Sequence, residues 1–105
     1  MKKHPPPARR RPITNRLWRF RKRKGFTQKQ VAQILGYASP THLSHWERGR
    51  TLPSLISALK LSAVYDAPLE ILFHDIFQQL RAELRATEQR LRQERARHEG
   101  ETALA

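Results

Sequence analysis

Between Thr41 and Arg48 the chain reads Thr-His-Leu-Ser-His-Trp-Glu-Arg, a run whose polar members are small hydroxyls and imidazoles. Such groups can donate to or accept from base edges, and Pro40 just before them offers a close apolar contact, so the chemistry on offer is readout of a DNA major groove. Leu43 and Trp46 are three apart and should face inward, leaving Thr41, His42, Ser44 and His45 to the outer and leading faces of one helix. Catalysis is poorly served by the same residues. His42 and His45 could share a metal, but two imidazoles with no cysteine anywhere in the chain and no third ligand in view make a weak zinc site. No nucleophile stands with a base and an orienting acid, and neither a phosphate-cradling glycine loop nor a cofactor signature is present. The chain reads as a non-enzyme that needs no cofactor and no metal.

Two capped helices must position that run. Thr27 stands three residues before Gln30, so its hydroxyl can accept from the Gln30 backbone while the Gln30 amide reaches back, a capping box. Val31, Ala32, Ile34 and Leu35 follow on one face at helical spacing, and Gly36 supplies the permissive backbone for a stop. Ser39 is the next cap, with Pro40 in the first helical position, and Gly49 ends that second helix. An earlier helix opens at Thr14 or Asn15 and ends at Gly25, burying Leu17 and Phe20. After a basic loop, Ser54 caps a helix whose Leu55, Ala58, Leu59, Leu61, Ser62 and Tyr65 include a core stripe, and Leu69, Leu72 and Phe73 extend the apolar surface from a last short helix.

The run from Leu17 to Phe73 resembles the lambda-repressor-like family of helix-turn-helix proteins, the Cro and repressor type also called the xenobiotic-response-element family. The likeness is carried by Leu17, Phe20, Arg21, Gly25, Phe26, Thr27, Gln28, Ala32, Gly36, Ser44, Trp46, Glu47, Gly49, Pro53, Leu55, Leu61, Leu69, Leu72 and Phe73. It implies an all-α fold: a compact five-helix DNA-binding domain over residues 14–75. By that resemblance Arg21 pairs with Glu47, fixing the first helix against the recognition helix and presenting its guanidinium toward phosphate. Gln28 anchors the second helix to the DNA backbone, Ser39, Pro40, Thr41, His42, Ser44 and His45 lie at the groove, and Arg48 and Arg50 approach the sugar-phosphate chain, where they position rather than specify. One departure stands out. Tyr37 and Ala38 make the turn before Ser39 one residue longer than is usual in the family, which alters the expected angle and register of the recognition helix.

The net charge of +12 is unevenly placed: residues 1–24 hold eleven Lys and Arg and no acid, whereas residues 25–75 hold four of each sign and residues 76–105 hold six bases against five acids. Residues 1–13, proline-rich and basic, read as a disordered arm that neutralises phosphates or enters the minor groove. From residue 76 onward a C-terminal helical extension carries Phe77, Leu80, Leu84 and Leu91 in a heptad-like stripe that continues from Phe73 and is interrupted at Thr87, with fraying expected beyond about Arg92. No apolar run approaches the roughly 20 residues that cross a bilayer, and the basic N-terminus lacks a signal peptide's apolar stretch, so a cytoplasmic, nucleoid-associated protein is expected and no membrane partner. The partner is double-stranded DNA, with a homodimer through the C-terminal helix or a toxin as further possibilities. The function that follows is sequence-specific regulation of transcription, repression first, with an autoregulating antitoxin as the alternative.

Overall fold

A computed structural model describes residues 14–104, so the basic arm up to residue 13 lies outside the described residues. These residues are all-helical: α1 (Leu17–Lys24), α2 (Gln28–Leu35), α3 (Thr41–Glu47), α4 (Leu55–Tyr65), α5 (Leu69–Leu72) and α6 (His74–Leu104). Of the described residues, 14–75 form one compact unit and 76–104 another.

Local chemistry sets the helix ends of the first unit. Asn15 accepts from the Leu17 N–H at 3.0 Å through its side-chain oxygen, and its amide donates to the Trp46 carbonyl at 2.8 Å, so the residue that starts α1 also ties it to the end of α3. Thr27 and Gln30 form both halves of the capping box, at 3.1 and 2.9 Å. Ser54 caps α4 by accepting from the Ser57 N–H at 3.2 Å. The start of α3 differs by one residue from the sequence reading. Pro40, with φ −82° and ψ 7°, is the cap rather than the first helical residue, and its carbonyl takes the first bond, from the Ser44 N–H at 3.0 Å. The Ser39 hydroxyl lies at the start of the helix, a loose 3.4 Å from the Thr41 N–H.

At Gly36 (φ 92°) the chain turns left-handed, and two backbone bonds close the end of α2: Gly36 N–H to the Gln33 carbonyl and Tyr37 N–H to the Ala32 carbonyl, at 3.1 and 2.8 Å. Gly49 (φ 74°) ends α3 in the same way, through Arg50 N–H to the His45 carbonyl at 2.9 Å.

Leu17, Val31, Ala32, Leu35, Leu43, Trp46, Leu61, Tyr65, Ala67 and Leu72 form one buried cluster, with Phe20, Phe26, Tyr37 and Phe73 packed partly against it. Three apolar residues assigned to inward faces lie outside it: Ile34, Leu55 and Leu59 are all about half exposed or more. α2 is only two turns long, and Val31, Ala32 and Leu35 already fill its buried arc; on α4 that arc belongs to Ala58, Leu61 and Tyr65. Leu52 and Ile56 are exposed as well, so Leu55, Ile56 and Leu59 leave α4 with large apolar residues on its accessible side.

The second unit is helical throughout. α6 continues past Arg92 to Leu104, where fraying was expected. Ion pairs one turn apart, Glu88 with Arg92 at 2.8 Å and Arg95 with Glu99 at 3.1 Å, together with a run of good helix formers, account for the extra length. Phe77, Leu80, Leu84 and Leu91 are all exposed.

Candidate nucleic-acid interface

α3 divides cleanly between its two sides. Leu43 and Trp46 are buried, whereas Thr41, His42 and Arg48 are exposed and Ser44 and His45 half-buried. Thr41, Ser44, His45 and Arg48 follow one another at helical spacing, so they make a continuous polar stripe along the accessible side. Ser39 is exposed ahead of it, Pro40 half-buried, and Arg50 exposed beyond the Gly49 stop.

A single carboxylate holds the other side. Glu47 Oε2 accepts from Arg21 Nε at 2.6 Å, and Glu47 Oε1 accepts from Arg21 Nη2 at 3.1 Å and from Gln28 Nε2 at 2.9 Å. One side chain at the end of α3 therefore ties together α1, α2 and α3. Arg21 and Glu47 expose only 7% and 4% of their side chains, and Arg21 Nη1 donates to the Phe26 carbonyl at 2.9 Å. The hydrogen bond to Glu47 holds the guanidinium protonated above its already high ordinary range, against the opposing effect of burial. Such a bidentate pair is strong because its geometry satisfies both ions where water cannot. The Arg21 guanidinium is turned to Glu47 and to the Phe26 carbonyl, while the residue also borders the open hollow at the head of α2.

Gln28 is likewise turned to Glu47, and what it leaves accessible is the head of α2. The N–H groups of Gln28 and Lys29 precede the first intrahelical bond, from the Val31 N–H to the Thr27 carbonyl at 3.1 Å. An open hollow there is bounded by Lys22, Gly25, Phe26, Thr27, Gln28, Lys29 and Pro40, with the edge of Arg21 at its base. Lys22 and Lys29 are both exposed. Neither lysine was singled out in the sequence, although both flank the Thr27 cap and so stand where helix N–H groups collect negative charge.

Tyr37 was the larger omission. It sits in the lengthened turn, donates to or accepts from Ser57 Oγ on α4 at 2.6 Å, and packs its ring against His42 at 4.9 Å and edge-on to Trp46 at 5.7 Å. The extra residue in the turn is thus anchored by an aromatic side chain that reaches α4 with its hydroxyl and supports α3 with its ring. His42, although exposed, is seated on that aromatic surface, also 6.0 Å from the Trp46 ring. The available signal was the tyrosine itself, since a large aromatic in a short polar turn has to bury its ring somewhere.

Tyr65 lies in the same core and is the one buried side chain among the described residues whose polar atom lacks a hydrogen-bond partner. Burial first, and then the Glu47 charge, push its hydroxyl well above the ordinary range for tyrosine.

Comparison with known proteins adds two findings. Residues 19–72, just over half of the chain, match the profile of a helix-turn-helix family, of the Cro and lambda-repressor type. No match to the sequence was found among curated proteins.

Proposed function

Since the chain belongs to the helix-turn-helix family of the Cro and lambda-repressor type, whose members are DNA-binding transcription regulators, we propose that it binds a specific double-stranded operator and represses transcription by occupying a promoter. What supports this most is the accessible stripe of α3 on a helix whose other side is locked by Glu47. Thr41, Ser44 and His45 read base edges, with Pro40 as an apolar contact and Ser39 at the entry. His42 contributes less, because its ring rests on Tyr37. Gln28 acts through the N–H groups at the head of α2, where Lys22 and Lys29 add positive charge, and Arg48 and Arg50 hold the backbone after the helix. Arg21 serves by holding Glu47. The basic residues of the N-terminal arm, Lys2, Lys3, Arg9, Arg10 and Arg11, add affinity without sequence preference.

Selection from a random duplex library, followed by titration of the selected site and of random DNA, tests the reading. Changing His45 to Ala should cost about 1 to 3 kcal/mol on the selected site, alter the preferred base at one position and leave random DNA nearly untouched. Equal losses on both DNAs would mean that α3 does not read bases.

The exposed stripe on α6 supports a protein partner as well. A second copy of the chain is the reading preferred here, because regulators of this kind bind paired half-sites as symmetric dimers. A toxin held by the same stripe, with autoregulation of a shared operon, is the alternative. No described helix is long and apolar enough to cross a membrane, and a cytoplasmic protein on the nucleoid fits both readings.

A further inference from the structure

The stripe on α6 fixes more than the existence of a partner. Its spacing of three and four residues gives Phe77, Leu84 and Leu91 one core position of the heptad and Leu80 and Thr87 the other. Flanking this seam on one side are Arg81, Glu88 and Arg95, and on the other Glu83, Arg90 and Arg97. All six are exposed, as are the four large apolar residues between them.

Orientation follows from these charges. In a parallel pair each flanking residue meets the opposite flank of the next heptad on the partner, which sets Glu83 against Glu88 and Arg90 against Arg95, each contact occurring twice by symmetry. Every charged contact in the middle of the seam would be repulsive. In an antiparallel pair like flanks face each other instead. With Leu80 opposite Leu91 and Leu84 opposite Thr87, Arg81 meets Glu88 and Glu83 meets Arg90, again each twice, and all four contacts are attractive. Within each helix Glu88 also pairs with Arg92 and Arg95 with Glu99, so these two flanking residues are shared between their own helix and the partner in either arrangement.

We propose that α6 is an antiparallel dimerisation helix, pairing with α6 of a second copy so that residue 84 of each lies against residue 87 of the other. The proposal rests on the reading of α6 as a dimer seam and adds its direction and register. In this register residue 74 of one copy lies level with residue 97 of the other, which separates the two His74 positions along the helices by about 35 Å.

The full chain is tested by sedimentation equilibrium, with the dissociation constant compared between variants. Glu83→Arg should weaken the dimer about threefold to tenfold, since two attractive contacts with Arg90 become repulsive, and adding Arg90→Glu should restore it. A parallel dimer requires the opposite, because Arg at position 83 would then attract Glu88 and tighten association. Spin labels on Ala96→Cys, introduced into a chain with no native cysteine, should lie about 32 Å apart along the helix axes in the antiparallel pair and side by side in a parallel one. Tightening by Glu83→Arg or adjacent labels overturns the direction while leaving the dimer in place. A dimer indifferent to Glu83→Arg places the contact on the exposed Leu55, Ile56 and Leu59 of α4 and overturns the proposal. A chain that is monomeric at every concentration overturns the dimer reading itself and leaves the stripe to another protein.

Discussion

The residues up to 75 and the α6 helix beyond them obtain their order in opposite ways. In the first unit, helices of four to eleven residues, too short to persist alone, are fixed by a shared core and by bonds that span long stretches of sequence, such as Asn15 to Trp46 and Arg21 to Glu47. In α6 the bonds span one turn, the ion pairs are exposed, and the large apolar residues are uncovered. The first arrangement is complete without a partner. The second has its large apolar residues exposed, so the partner proposed for α6 would supply the free energy that burial supplies elsewhere.

Core truncation should separate the two regions most widely. Trp46→Ala removes the ring that supports both Tyr37 and His42, and should destabilise the first unit by about 3 to 5 kcal/mol in urea denaturation. Leu84→Ala, at a side chain 68% exposed, should leave the same transition within about 0.5 kcal/mol while abolishing self-association. A comparable loss from Leu84→Ala would show that the domain depends on α6.

Ion pairs give the next contrast. Arg21→Ala leaves a buried carboxylate without its main partner and should cost about 3 kcal/mol, with weaker DNA binding. Combined with Glu47→Ala it should cost clearly less than the two single changes added together, because the second change removes the stranded charge. On α6, Glu88→Gln should cost no more than about 0.5 kcal/mol of helix stability by circular dichroism. Additivity at Arg21 and Glu47 would reduce that pair to the status of the surface ones.

The smallest effects test whether tertiary contacts place individual hydroxyls. Tyr37→Phe loses the 2.6 Å bond to Ser57 and should cost about 1 kcal/mol, whereas Tyr65→Phe removes a buried hydroxyl that lacks a partner and should be neutral or stabilising. Equal costs in thermal melts would mean that the Tyr65 hydroxyl is satisfied in solution.

What could be read from the sequence was whatever depends on neighbours in the chain. The Thr27 and Gln30 capping box, the stops at Gly36 and Gly49 and the inward pair Leu43 and Trp46 all follow from spacing within a turn or two, and the structure shows each of them. The misses share a different cause. Ile34, Leu55 and Leu59 have the right periodicity, but periodicity cannot say how wide an arc the core will cover on a short helix. Likewise the pairing of Arg21 with Glu47 was expected from family resemblance, yet the further bonds of that pair, Arg21 to the Phe26 carbonyl and Gln28 to Glu47, depend on how α1, α2 and α3 come together. Tyr37 shows the same limit, since its partners lie on α3 and α4.

The Glu47 node also bears on the thermodynamics of recognition. Both its oxygens are engaged by α1 and α2, so the recognition helix proposed above is already tied into the domain before any DNA is bound. The heat-capacity change of binding should then match the surface covered by the domain and nothing more, and any excess measured by calorimetry would report ordering of chain outside this locked frame.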